Sequence, residues 1–144
     1  MPELTRRAVL GAAVTVPTLA IAQTSPAPPA PADAKVYIIW PHDGDRVKSP
    51  FWCRFGLRNM GVAPAGSHMA NTGHHHLLID VNEPLTPGET IPSDRTHMHF
   101  GAGQTEVQLD LPPGRHTLQL VMGDGDHRIF NPPIVSKKIT ITVG

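Results

Sequence analysis

The sequence has little cysteine and few aromatic residues, and the cysteine count limits the interactions that can stabilise the folded chain. Its 144 residues include one cysteine, Cys53, so no disulfide can form within the chain. A small domain without disulfides is stabilised by hydrophobic burial or by a metal. Cys53 alternates with Phe51, Phe55 and Leu57, which predicts that its side chain packs in a core and is not a reactive thiolate.

Net charge is also lacking, because 12 Lys and Arg balance 12 Asp and Glu. The basic residues are scattered, whereas binding to nucleic-acid phosphates needs a concentrated positive surface. We therefore predict no nucleic-acid partner. The chain also lacks a nucleophile motif such as G-x-S-x-G, and we predict that it is not an enzyme.

The N-terminal residues 1–22 have the pattern of an export signal. Arg6 and Arg7 precede an uncharged run over residues 8–21, and Ala20-Ile21-Ala22 forms a small-x-small cleavage site. The run is short for a membrane span, so we predict none after cleavage. Residues 5–10 partly match a twin-arginine signal, so the export route stays open. An uncleaved N-terminal anchor is the alternative to a cleaved signal. The predicted location is periplasmic or secreted.

The remaining sequence divides into a tether and one domain. Residues 23–34 are rich in proline and alanine, which predicts an extended linker, and residues 35–144 form the domain. Sixteen prolines and 13 glycines separate short apolar segments, and no segment has a helical pattern. Strands are predicted at 36–40, 51–57, 75–81, 104–111, 115–122 and 134–143. These features predict an all-β, immunoglobulin-like antiparallel β-sandwich.

Nine histidines are the unusual feature of the composition. The stretch that begins Thr72-Gly73-His74-His75-His76 continues as an apolar segment of strand type. Extended backbone places His74, His76 and Asp80 on one face of this strand. The later His97-Met98-His99 repeats the same two-residue spacing. Two such pairs can each present two imidazoles on one side, which is the arrangement that a metal ion requires.

The predicted metal ligands are imidazoles from both pairs and from one later loop: His74, His76, His97, His99 and His127. Neutral imidazole suits copper, zinc and nickel and needs no acidic partner. The two pairs converge if their strands are neighbours in register. Copper is placed ahead of zinc because methionines would add soft ligands at Met60, Met69 and Met98 if they come near.

Four more residues are predicted to support the ligands: His75, Asp80, Gln104 and Glu106. Asp80 shares the ligand face and can accept a hydrogen bond from a ring. Gln104 and Glu106 follow the second histidine pair after a glycine-containing turn, so each can reach an imidazole N–H. His75 faces the other side of the strand, where a hydrogen-bonded histidine in the core is expected.

Several blocks of the sequence resemble one family. They are VYIIWPHDGDRVKSPF, FGLRNMGVAPAG, NTGHHHLLID, HMHFGAGQTE, LPPGRHTLQL and PPIVSKKITITV, in that order. Together they resemble the bacterial exported domain of unknown function DUF4399, over residues 35–143. The resemblance implies a small exported β domain and no particular activity. At the positions of His97-Met98-His99 the family more usually has His-Leu-His, so no role is assigned to Met98.

Two functions of different classes are compatible with the sequence. In the first, the domain binds a transition-metal ion, copper or zinc, for carriage or buffering. In the second, the histidines form a buried hydrogen-bond network and the domain is an interaction module whose partner is another envelope protein. A third hypothesis, a pH-sensing surface, depends on the histidine count alone.

Overall fold

The computed structural model describes residues 25–144 and contains only β-strands and loops in that range. The predicted signal peptide and the first residues of the tether lie outside the described residues. The nine strands are β1 Lys35–Trp40, β2 Arg46–Val47, β3 Phe51–Arg58, β4 Gly61–Val62, β5 Thr72–Ile79, β6 His97–His99, β7 Glu106–Leu109, β8 Gly114–Gly123 and β9 Ile139–Val143. The prediction of an all-β domain is therefore confirmed.

The strands form two sheets. The smaller sheet has the order β1-β3-β7 and is antiparallel throughout. The larger has the order β2-β9-β8-β5-β4, with β6 also paired to β5. Its short edge strands run parallel to their neighbours, β2 to β9 and β4 to β5. The expectation of a purely antiparallel arrangement was wrong at these edges, because two-residue strands have too short a pattern to predict their direction.

One hydrophobic core joins the two sheets. Val36 and Phe55 from the smaller sheet belong to the same buried cluster as Leu77, Leu120 and Ile141 from the larger. Period-2 alternation produces this arrangement, because the burial of β3 and β9 switches along the strand between the core and solvent. Cys53 is completely buried in this core, as the alternation predicts. Burial without a charged neighbour raises the pKa of its thiol to about 12.

The outer face of the larger sheet carries a second, smaller core. It contains Leu78 on β5, Val121 on β8, and three residues from the loops that cover this face: Val81, Ile91 and Ile129. β5 is consequently buried on both faces over residues 73–79. Side chains of either parity along β5 are therefore shielded from water.

The proline-rich segment before β1 lies against the domain within the described residues. The Ala30 N–H donates to the Asn131 carbonyl at 3.0 Å, and the Asn131 N–H donates to Pro28 at 2.8 Å. Ala30 and Ala34 also pack against the main core. Across residues 25–144, no helix has the length and apolar character needed to cross a membrane.

Candidate metal centre

β5 supplies the two most deeply buried histidines of the site. Alternation along the strand turns His74 and His76 to the outer face, and their relative exposures are 0% and 1%. Their Nε2 atoms lie 3.0 Å apart. β8 fixes the position of this pair, because His74 is paired with Gly123 and His76 with Val121. The backbone ladder therefore brings two imidazole nitrogens to one point.

β6 supplies the third histidine. It pairs antiparallel with β5 in a register that places His99 opposite His76. Directly opposed residues have side chains on the same face of a sheet, so the ring of His99 joins the pair. The ring centroids of His99 and His74 are 5.0 Å apart. Residues 23 positions apart in sequence thus meet through strand pairing.

A turn after β8 supplies the fourth histidine. Oδ1 of Asp124 accepts hydrogen bonds from the backbone N–H groups of Asp126 and Arg128, at 2.9 and 2.8 Å. This turn holds His127 in a left-handed conformation with φ of 63°. Nδ1 of His127 lies 3.1 Å from Nε2 of His74. Asp124 is therefore a structural residue of the site, and its signal in the sequence is the turn pattern Gly-Asp-Gly-Asp.

The four rings form a compact, slightly distorted tetrahedron. All six centroid separations among His74, His76, His99 and His127 lie between 4.7 and 6.0 Å. A regular tetrahedron of this size has its centre about 3.1 Å from each centroid. Metal–nitrogen bonds of about 2.0–2.1 Å place the centroid of a bound imidazole about 3.2 Å from the metal. The size of the cluster therefore matches a single metal ion.

The ligand atoms are close together but do not form a regular site. One nitrogen from each ring lies within 4.8 Å of the others. Tetrahedral coordination at about 2.0 Å requires nitrogens about 3.3 Å apart, so the widest separation must shorten by roughly 1.5 Å. His99 and His127 are half-buried, whereas the two histidines of β5 are enclosed. The site thus has a buried wall on β5 and a more accessible wall on the loops.

Burial keeps the enclosed rings neutral. Burial first, and then repulsion from protonated His99 and His127, lowers the pKa of His74 to about 4. The pKa of His76 falls to about 3 for the same first reason, followed by repulsion from His74. Burial and then repulsion from His127 also lower the pKa of His99. Neutral imidazole is the form that binds metal, so these rings are ready to coordinate near neutral pH.

Three ring nitrogens of the cluster lack hydrogen-bond partners among the described residues. Nδ1 of His74, Nδ1 of His76 and Nε2 of His99 are buried without a hydrogen bond. Metal-binding histidines usually donate this second nitrogen to a carbonyl or carboxylate, which fixes the ring orientation. Packing must orient the rings in this site.

The structure does not bring His97 to the cluster, although the sequence pattern predicts it as a ligand. It is paired with Leu78, and its Nδ1–H donates to Oδ1 of Asp94 at 2.9 Å. Asp94 also accepts hydrogen bonds from Thr96 and from the His97 backbone. The ring of His97 is therefore hydrogen-bonded within a local turn, and the second His-x-His pair contributes only His99 to the cluster.

The three polar residues expected to orient the rings make other contacts. Asp80 accepts a hydrogen bond from Nδ1–H of His116 at 2.7 Å. Gln104 accepts one from the Ala102 N–H at 3.0 Å, and Glu106 pairs with Arg54 at 3.2 Å. Asp80 leaves the ligand face because its backbone has φ of 58°, which ends the alternation of β5.

His75 lies in the main core, on the opposite side of β5. Its ring centroid is 5.2 Å from that of Phe55, and its exposure is 0%. The inward orientation agrees with the sequence pattern. The expected hydrogen bond is not present, because neither ring nitrogen has a partner in the part of the chain that the structure describes. Burial lowers the pKa of His75 to about 4.

The fold and the histidine cluster describe a class of domain, and comparison with known proteins gives the family. The geometry describes an all-β domain with a four-histidine cluster on the outer face of one sheet. Residues 53–144 match the family DUF4399, described as a domain of unknown function, and the chain belongs to this family. Searches of curated proteins and of solved structures each found no match.

Proposed function

We propose that the domain binds one transition-metal ion through His74, His76, His99 and His127. The observation that carries this proposal is the convergence of four imidazoles to within 4.8 Å. Four nitrogen ligands complete a tetrahedral shell, whereas catalytic sites keep a position open for water or substrate. The proposed role is therefore carriage or buffering of the ion, without turnover.

Copper is the proposed ion, ahead of zinc. The set contains neither thiolate nor carboxylate, and nitrogen sites bind Cu²⁺ more tightly than Zn²⁺ in the general order of divalent metals. Hard ions such as Mg²⁺ and Ca²⁺ prefer oxygen ligands and are disfavoured.

The setting of the proposed function follows from the sequence. The export pattern of residues 1–22 supports a periplasmic or secreted protein. The two sheets with a shared core support a β-sandwich, and we propose an immunoglobulin-like arrangement on the spacing of the later strands.

The alternative is an envelope interaction module in which the same histidines only hydrogen-bond to one another. The contacts of 3.0 and 3.1 Å at Nε2 of His74 favour such a network. This nitrogen can either donate one proton or accept one, so it cannot satisfy both His76 and His127 well. A metal uses the lone pairs of all three nitrogens at once. The network therefore explains the convergence less completely.

The test measures metal in the untagged full chain. We expect one copper ion per chain by elemental analysis, with a rise in melting temperature when copper is added. The double variant His74→Ala/His76→Ala should lose both. His42→Ala/His68→Ala is the matched control, because it removes two exposed histidines outside the cluster. Equal copper binding by the two double variants would overturn the proposal.

A further inference from the structure

Glycine backbone lies directly against two of the ligand rings. A Cβ added at Gly101 would overlap Cε1 of His99 and lie 2.6 Å from its Nε2. A Cβ at Gly123 would lie 2.9 Å from Nε2 of His76. Real Cβ atoms do not approach other atoms so closely, so these rings occupy space that any other residue would fill. Since Nδ1 of His76 and Nε2 of His99 have no hydrogen-bond partner among residues 25–144, contact with the glycine backbone must orient these rings.

Gly101 is itself held by a strap, defined as residues 63–67. The Ala63 N–H donates to the Gly73 carbonyl, beside His74, at 2.8 Å. The Ala65 N–H donates to the Gly101 carbonyl, also at 2.8 Å, and the Gly66 N–H donates to Gly125 at 2.8 Å. Each acceptor is within two residues of a ligand histidine. The strap therefore ties together the three segments that carry the ligands.

We propose that Gly101 is a positioning residue of the metal centre. Because Gly101 has no Cβ, the ring of His99 packs directly against its Cα. We call this contact surface the seat, and the strap holds it in place. This inference rests on the proposed metal binding. His99 needs such a seat because it comes from a three-residue strand and is only half-buried. Without the seat, its ring is free to rotate toward solvent, and the ion keeps three imidazoles.

The principal test is Gly101→Ala. The new methyl group meets a movable side chain and no backbone atom among its nearest contacts, so the ring is displaced and the fold is kept. We expect copper affinity to fall about 10–100-fold, as for loss of other residues that orient metal ligands. Pulsed EPR of bound Cu²⁺ should count three coordinated imidazoles in place of four. Gly61→Ala is the matched control, since its Cβ would meet only the methyl of Thr72, at 3.2 Å, in close contact.

A double-mutant cycle with His99→Ala separates positioning from a general structural effect. If Gly101 acts through His99, Gly101→Ala has no further effect on copper affinity in the His99→Ala background. Additive losses, or four coordinated imidazoles in Gly101→Ala, would overturn the inference.

A second variant tests the strap without adding atoms beside the ring. Ala65 is the second residue of a turn in which the Ser67 N–H donates to Pro64 and Gly66 has φ of 82°. Proline is favoured at this position of a type II turn, so Ala65→Pro keeps the turn and removes the hydrogen bond to Gly101. We expect weaker copper binding that again depends on His99. Ala65→Ser keeps the N–H and should bind copper normally.

Failure of this inference is distinguishable from failure of the proposed function. If the wild-type chain binds no copper, metal binding is refuted, and crystal structures of the metal-free wild type and Gly101→Ala still test the seat. A displaced His99 ring in the variant supports the seat. An unmoved ring refutes it, whatever the outcome of the metal measurements.

Discussion

The Nε2 atoms of His74 and His76 lie 3.0 Å apart, although the residue between them faces the opposite side of the sheet. Alternation along β5 puts this pair on the outer face and His75 against Phe55 in the core. Three consecutive histidines thus serve two environments. The pair belongs to the proposed metal centre, and the middle residue belongs to hydrophobic packing.

The two histidines of β6 should differ in their effect on metal binding. His99 joins the cluster, whereas the ring of His97 is bound to Asp94. We expect His99→Ala to lower copper affinity about 10–100-fold, comparable to other losses at metal sites, and His97→Ala to leave it unchanged. Isothermal titration of both metal-free variants with Cu²⁺ makes the comparison. Equal losses in both would show that the whole pair coordinates.

The sequence predicts the parts of the site that depend on strand alternation. The facing of His74, His76 and His75, and the inward position of Cys53, follow from the period of 2. The separation of His97 from His99 does not follow from this period. A turn at Asp94 binds His97, and the conformation of this loop is a tertiary detail that the pattern does not contain. The positive φ of Asp80 is equally invisible to periodicity, so the pattern continued past the true end of β5.

Replacing His75 by leucine should stabilise the metal-free protein. Both ring nitrogens are buried without partners in the described chain, and an apolar side chain of similar size removes that cost. We expect a gain of about 1–3 kcal/mol in the free energy of unfolding at pH 7.5, measured by urea denaturation. His42→Leu, at an exposed position, serves as the control. A loss of stability in His75→Leu would imply a polar partner for this ring.

The metal-free protein should become less stable as the pH falls below about 6.5. The buried rings of His74, His75 and His76 have lowered pKa values, so the unfolded chain binds protons that the folded chain does not. Their contribution is complete above 6.5 and is lost toward pH 4. For one ring with a pKa of about 4, it amounts to about 3 kcal/mol. Melting curves between pH 7.5 and 4.5 measure the trend, and a flat profile would contradict it.

Cys53 should resist thiol reagents until the domain unfolds. Its side chain has 0% exposure, and burial raises its pKa to about 12, so the reactive thiolate is scarce near neutral pH. We expect no alkylation by iodoacetamide in native buffer and complete alkylation in denaturant, followed by mass spectrometry. The rate at intermediate urea concentrations should follow the unfolded fraction. Rapid labelling of the native protein would place the thiol at an accessible surface.

The ion pair between His116 and Asp80 should give a pH dependence of the opposite sign. Nδ1 of His116 faces the Asp80 carboxylate and Nε2 faces the Pro112 carbonyl, so both nitrogens donate only when the ring is protonated. Burial lowers the pKa of His116, but the hydrogen bonds to Asp80 and Pro112 and the charge of Asp80 outweigh it and raise the pKa. The resulting stabilisation is present below the ordinary imidazole pKa and is lost as the pH rises through the raised value.

Asp80→Asn isolates this charge, because asparagine tolerates the φ of 58° and keeps an oxygen for the Thr117 N–H. Asp80 is partly exposed, so we expect a loss of about 1 kcal/mol near pH 6 that shrinks above pH 8. The difference between wild type and variant, from urea denaturation at each pH, cancels the contribution of the buried rings. His116→Gln should remove the pH dependence of that difference. A difference that stays constant with pH would show that Asp80 acts only through the backbone of β8.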